Sequence, residues 1–260
     1  MLRPGALGDT LLAVPALRAL RRAFSPVCLA AHAATARLLA RLGEVDRGLA
    51  FDDPSLAWVF RASVSDEPVV AWMNAAVPAA RLVAPSRPPD ATHAARYLLD
   101  SLEPLGIELT WDARPLQVTP TTSDEILIHP GSGSATKNWP PERFTAVIRA
   151  LDAPMRLIVG EADVDAARQV ELLVGRPLER LERAPLEELA VRLAGCRAYL
   201  GNDSGVSHLA GLCGARTVAM FGPTSATVWR PLGRDVHVLA FEAPPEEVAA
   251  ILSGQRAGRE

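Results

Sequence analysis

Lysine is nearly missing from this chain of 260 residues: 26 of its 27 basic residues are arginine, and Lys137 stands alone. Arginine and lysine are not interchangeable where a compact point charge is needed, so Lys137 is a site candidate, with chance survival on the surface as the plain alternative. Long apolar runs are absent too. No stretch of about 18 apolar residues escapes a charge, proline or glycine, and the opening Met1-Leu2-Arg3-Pro4-Gly5 is too polar for a secretory h-region. A cytoplasmic location is the expectation. Cysteine is scarce and odd in number, with Cys28, Cys196 and Cys213 in apolar surroundings, which suits small core hydrophobes better than a disulfide or zinc framework. A strong charge of either sign is lacking, since 27 basic and 30 acidic residues leave a net -3, so nothing marks a nucleic-acid or anionic membrane partner. Asparagine and glutamine number three each, which heat adaptation and codon bias explain equally well. What remains, 49% hydrophobic and 22% charged, describes a soluble globular chain of one large or two small domains.

Apolar periodicity predicts helices over 11–24, 35–42, 54–61 and 92–105, alternating with short apolar runs at 27–31, 48–51, 69–72 and 81–84. Residues 114–124 are rich in proline and threonine without helical period, and Glu125-Ile126-Leu127-Ile128-His129 then opens a second series. There, strands are predicted at 126–129, 155–159, 196–200, 217–221 and 236–239, and helices at 141–151, 164–173, 185–194 and 206–213. This is a parallel α/β pattern in two doubly wound domains, 1–120 and 121–260, with a last helix free to return to the N-terminal one. Open parallel sheets bind ligands at the carboxyl ends of their strands.

Three strand-to-helix junctions carry unusual residues. In Pro4-Gly5-Ala6-Leu7-Gly8-Asp9-Thr10, the glycines allow a tight turn and Asp9 arrives at a first helical turn, where it serves either as a cap or as a cleft-facing general base. Spacing does not separate the two. In His129-Pro130-Gly131-Ser132-Gly133-Ser134-Ala135-Thr136-Lys137-Asn138-Trp139-Pro140, glycines, hydroxyls and the sole lysine make an anion site or a bland flexible loop. It is not a Walker A loop, because Thr136 and Asn138 flank the lysine. In Gly201-Asn202-Asp203-Ser204-Gly205-Val206-Ser207-His208, the amides of Ser204, Gly205 and Val206 suit a phosphate at a helix start. His208 lies one turn in, where a packed core histidine is the alternative reading.

Two other signals are weaker. Asp163-Val164-Asp165 spells the D-x-D of metal-dependent sugar transferases, but it opens a helix, where acidic residues are ordinary dipole partners. The dinucleotide fingerprint fails because Thr136 stands in place of its third glycine.

The three blocks, running from Pro4-Gly5-Ala6-Leu7-Gly8-Asp9 to Pro15-Ala16-Leu17-Arg18, from Ile128-His129-Pro130-Gly131 to Lys137-Asn138-Trp139-Pro140, and from Gly201 through His208 to Phe221-Gly222-Pro223-Thr224, resemble glycosyltransferase family 9, the ADP-heptose:lipopolysaccharide heptosyltransferases and their relatives. The resemblance implies a GT-B fold of two Rossmann-like domains facing a central cleft, with the acceptor bound by the first and the nucleotide sugar by the second. It implies no metal and no cofactor beyond the substrate, with ADP-heptose as donor. Carried over, Asp9 is the base. Gly8, Ser132, Thr136, Lys137, Asp203, Ser204, Gly205 and His208 hold the donor and its phosphates, while Glu161, Gly222 and Pro223 meet ribose and base. Partners would be the nucleotide sugar and a saccharide or glycolipid of the cell surface, with weak peripheral membrane association left open. Family members open with a full hydrophobic strand, whereas Met1-Leu2-Arg3 is short, so the first strand is expected to be stunted or to start upstream.

The expected reaction is an inverting single displacement in which Lys137 and the helix amides stabilise the departing diphosphate in place of a metal. The rival readings are a nucleotide-sugar-binding module without transfer activity, and an epimerase or hydrolase on the same fold.

Overall fold

The computed structural model describes residues 1–61 and 67–254, and the chain divides into two compact units, Met1–Ala113 and Arg114–Glu260. Residues 114–120 fall with the second unit because Leu116 is buried there and its amide donates to the Leu212 carbonyl at 2.8 Å. No helix among the described residues is long and apolar enough to cross a membrane.

In the first unit, β1 (Cys28–Ala31) pairs in parallel with β2 (Arg47–Ala50), and β3 (Val69–Trp72) with β4 (Ala80–Ala84). Leu2 bridges both pairs, to Ala30 and to Ala71, so the opening strand is reduced to a bridge in the middle of the layer. The helix expected over 11–24 is two helices, α1 (Leu7–Leu11) and α2 (Val14–Ala23). Pro15 explains the break: it has no N–H for the Leu11 carbonyl, but it fits the first turn of a new helix. The expected helix at 54–61 is a 3-10 helix over Pro54–Phe60, started by Asp53 accepting the Ser55 N–H. That at 92–105 resolves into α4 (Ala94–Asp100) and a short 3-10 turn at Glu103–Leu105, following α3 (Ala33–Arg41) in chain order.

The second unit has one six-stranded parallel sheet, built from β5 (Ile126–His129), β6 (Met155–Val159), β7 (Glu179–Glu182), β8 (Ala198–Asn202), β9 (Thr217–Phe221) and β10 (Val236–Ala240) in the order β10-β9-β8-β5-β6-β7. Its central strands are continuous apolar runs, as a sheet covered on both faces requires. Helices α5 (Pro141–Ala150), α6 (Val164–Val174), α7 (Leu186–Gly195) and α8 (Gly205–Leu212) connect them, followed by α9 (Ala226–Trp229) and α10 (Pro245–Ser253). The last helix packs within its own unit. Val248, Ile251 and Leu252 join the core formed by Phe144, Val147 and Ile148 of α5 with the sheet, which uses up its apolar face.

Candidate functional site

The order of the sheet fixes where the second unit can bind a ligand. From β5 the chain first builds outward through β6 and β7, then returns to the other side of β5 with β8. Connections leaving the carboxyl ends of β5 and β8 therefore run in opposite directions and leave a crevice there, the usual ligand position in an open α/β sheet. Both chemistry-bearing junctions of this half start at those two strand ends.

Asp203, at the end of β8, is 7% exposed, and its Oδ2 accepts from Lys137 Nζ at 2.7 Å and from Thr224 Oγ1 at 2.6 Å. Lys137 closes a short 3-10 turn, Ala135–Lys137, and is half-buried. Asn202 ties the two junctions together: its Nδ2 donates to the Pro130 and Gly131 carbonyls at 2.8 and 3.2 Å, and its Oδ1 accepts the Trp139 amide at 2.8 Å. The lysine loop is thus braced at both ends. Helix α8 begins immediately beyond, and its first amides, at Gly205 and Val206, have no intrahelical acceptor. An ammonium and the positive end of a helix are thereby gathered at one crevice.

Below this surface lies a buried polar chain. His129 faces Ser204 Oγ with Nδ1 at 3.2 Å and Asp163 Oδ2 with Nε2 at 2.9 Å, and the Gly160 amide donates to the same Asp163 oxygen at 2.9 Å. Burial disfavours ionisation of Asp163, but the hydrogen bond and charge of His129 with the Gly160 amide outweigh it and hold its pKa below the usual aspartate value. Ser204 also caps α8 through the Ser207 amide. Tyr199 Oη and Ser207 Oγ pair at 3.0 Å, and burial raises the tyrosine pKa well above its ordinary value. Two glycines make this packing feasible: a Cβ on Gly131 would lie 1.9 Å from Asp163 Oδ1, and one on Gly201 would lie 2.1 Å from Tyr199 Oη.

The other residues expected from the sequence are placed as follows. Ser132 donates to Asn138 Oδ1 at 2.7 Å, and Thr136 is exposed beside Ser134 at 3.0 Å. Gly205 opens α8, and His208 is buried one turn further, its amide bonded to the Ser204 carbonyl. Glu161 is exposed in the turn after β6. Gly222 and Pro223 are exposed after β9, and a Cβ on Gly222 would come within 2.6 Å of the Phe241 ring, so packing alone accounts for that glycine. Sequence reasoning gave no site role to His129, Asn202, Asp163 or Thr224. Asp163 was assigned to the helix dipole, although a polar His129 ending a buried apolar strand signals the need for a partner. Thr224 ends the third block, but nothing in its local sequence points to Asp203 as its partner. Among the described residues, no group of three His, Cys, Asp or Glu is placed to hold a metal ion.

In the first unit, Gly8 is buried within α1, and Asp9 stands at the third helical position, where its Oδ2 accepts the Ala6 amide at 3.2 Å. Its side chain is 37% exposed, while the neighbouring Arg3 is 1% exposed. Arg3 donates to the main-chain carbonyls of Asp9 at 3.2 Å, Ser86 at 3.0 Å and Trp72 at 3.5 Å. Its Nη2 makes no hydrogen bond and lies 3.9 Å from Asp9 Oδ1. Burial lowers the Arg3 pKa against the opposing pull of Asp9 and Tyr97. The first junction is therefore a partly exposed carboxylate backed by a buried cation.

The comparisons with known proteins agree with this architecture. The chain is similar over 98% of its length, and 97% of the other's, to a glycosyl transferase family 9 structure from Veillonella parvula DSM 2008, at 18% identity and a TM-score of 0.80. It is also similar to the E. coli ADP-heptose lps heptosyltransferase II, with 19% identity, a TM-score of 0.74, and 97% and 96% of the two chains covered. The E. coli heptosyltransferase WaaC with ADP gives 16% identity, a TM-score of 0.71, and coverage of 97% and 98%. At such identities the likeness establishes the fold, that of GT-B glycosyltransferases. No curated protein sequence matches the chain. The family model for glycosyltransferase family 9 (heptosyltransferase) matches residues 88–249, more than half of the chain. With its fold and its junctions, the chain belongs to glycosyltransferase family 9, the heptosyltransferase family.

Proposed function

We propose that the protein transfers a heptose from ADP-heptose, with inversion, to a saccharide of a cell-surface lipopolysaccharide. The observation that carries this reading is that Lys137 is held by Asp203, two residues before the start of α8, at the switch point of the second sheet. The lysine ammonium and the first amides of α8 suit a diphosphate, and the neighbours solved with ADP or named for ADP-heptose point to the nucleotide. Lys137, Gly205 and the polar groups of Ser132, Thr136, Asp203, Ser204 and His208 serve the donor phosphates. Glu161 takes ribose hydroxyls, and Gly222 with Pro223 lines the base. In the reaction the acceptor oxygen attacks the anomeric carbon opposite the nucleotide, and Asp9 takes its proton. The bond from that carbon to the β-phosphate oxygen breaks, and its electron pair leaves with ADP. Lys137 and the helix amides stabilise the growing charge, a role that metal-dependent transferases give to a cation. The reaction runs at the cytoplasmic side of the membrane, where contact with the glycolipid is peripheral.

The test uses ADP-heptose and lipopolysaccharide core saccharide. Wild type should release ADP only when the saccharide is present. In Lys137→Ala, ADP affinity measured by calorimetry should fall about ten- to a hundredfold, and Lys137→Arg should restore it only in part, because its planar fork presents the charge differently. UDP outcompeting ADP would overturn the donor assignment, and equal ADP affinity in Lys137→Ala would remove that residue from the site.

A further inference from the structure

The segment between β9 and α9 holds a side chain that this functional reading leaves unused. Thr224 Oγ1 meets the same Asp203 oxygen that accepts Lys137, at 2.6 and 2.7 Å respectively. Residues following β5, β8 and β9 thus converge on one buried carboxylate oxygen. An ionised carboxylate only accepts, so the threonine hydroxyl is the donor and occupies one of the oxygen's two lone pairs while the ammonium takes the other. The Asp203 main chain is fixed independently, its amide donating to the Met220 carbonyl at 3.0 Å. With backbone and Oδ2 both held, the carboxylate is a rigid anchor for a long side chain that is otherwise among the most mobile. Ordering such a stem in advance removes that cost from ligand binding.

We propose that Thr224 is a positioning residue for the donor: its hydroxyl fixes the Asp203 carboxylate, which holds the Lys137 ammonium ready for a nucleoside diphosphate. This rests on the reading of the second unit as the nucleotide site. Thr224 acts through two other side chains, and its hydroxyl, not its shape, carries the effect.

Because Lys137 is the sole lysine, an amine reagent reports on this one position, and mass spectrometry separates it from the amino terminus. An ammonium bonded to a carboxylate must leave it before it can be acylated. Thr224→Val keeps the β-branched shape and deletes the donor. It should weaken ADP binding about tenfold by calorimetry, and should speed acetylation of Lys137 by N-hydroxysuccinimidyl acetate several-fold in the ADP-free protein. Thr224→Ser keeps the hydroxyl and should hold both readings within about threefold of wild type. Thr224→Val binding ADP as wild type does would overturn the proposal. So would weaker ADP binding with unchanged Lys137 labelling, since Thr224 would then act on the nucleotide or the loop. Thr224→Ser behaving like Thr224→Val, or loss of the fold in Thr224→Val, would also count against it, because shape or scaffold would account for the residue. Wild type failing to bind ADP is a separate outcome, seen before any variant is made, and it overturns the functional reading underneath.

Discussion

Asp9 has two neighbours of opposite demand, and its proposed role has to be tested with both in mind. Its Oδ2 accepts the Ala6 amide, which asparagine could also do, while Oδ1 faces the buried Arg3 guanidinium, which asparagine cannot neutralise. Asp9→Asn should therefore leave ADP affinity intact and lower turnover by about 10² to 10⁴ if Asp9 is the base. It should also cost about 1 kcal/mol of stability, since the pair is long and half open to solvent. A melting midpoint lower by about 2 to 4 °C would report that loss separately from activity. Transfer within a few fold of wild type would return Asp9 to a capping and charge-balancing role. At this scale the sequence was legible where composition marked a residue: Lys137 stood out because no other lysine exists. Asp163 and Thr224 did not, since each acquires its meaning from a partner brought close by the sheet, His129 across 34 positions and Asp203 across 21.

Elements were readable where burial is complete and obscure where it is not. The runs of β5 and β9 appear at their predicted limits because both faces are covered, and β6, buried over its last three residues, does so too. β7 went unseen: its Glu179-Arg180-Leu181-Glu182 reads as polar surface, and in the sheet it is an edge, where charges discourage further pairing. β8 runs two residues beyond the expected 196–200, and this brings Asn202 inside the strand as the tie between junctions. The lysine loop allows a paired test of element packing. A methyl group on Gly131 would sit 1.9, 2.4 and 2.7 Å from Asp163 Oδ1, Cγ and Cβ, whereas one on Gly133 would have nothing within 4 Å. Asp163 is pinned by His129 and Gly160 and has little room to yield. Gly131→Ala should cost about 1 to 3 kcal/mol by overpacking and weaken ADP binding, while Gly133→Ala should change neither. Equal melting temperatures for the two variants would show that the loop moves freely over Asp163.

For the whole molecule, the two-unit plan was legible because periodicity lapses over 114–124, although the buried Leu116 draws the start of that stretch into the second unit. Its charge chemistry was not legible, because it depends on which groups end up paired or buried. Hydrogen bonds from Arg156 and Arg180 hold Glu125 and Glu171 below their ordinary pKa of 4.5. At Asp163 and Asp235 burial opposes ionisation, but His129 with the Gly160 amide, and His237 with Arg216, bring both below 3.8. A carboxylate whose folded pKa is depressed contributes its full stability above the unfolded value and loses it as pH falls through the folded one. Burial acts in the opposite direction on the thiols, pushing Cys196 and Cys213 up from 9.0 to about 12. Tyr199 is raised from 10.0 by the same cause. These groups stay neutral when folded, so their contribution is complete below the unfolded pKa and is lost as pH rises from about 9 toward the folded values. The melting temperature should hold level between about pH 5 and 8, fall below about pH 4 and fall again above about pH 9, measured by calorimetry at constant ionic strength. All seven of these groups lie in the second unit. A midpoint unchanged from pH 5 to pH 3 would mean that the unfolded chain pairs those carboxylates equally well, and that their native contacts contribute nothing to the fold.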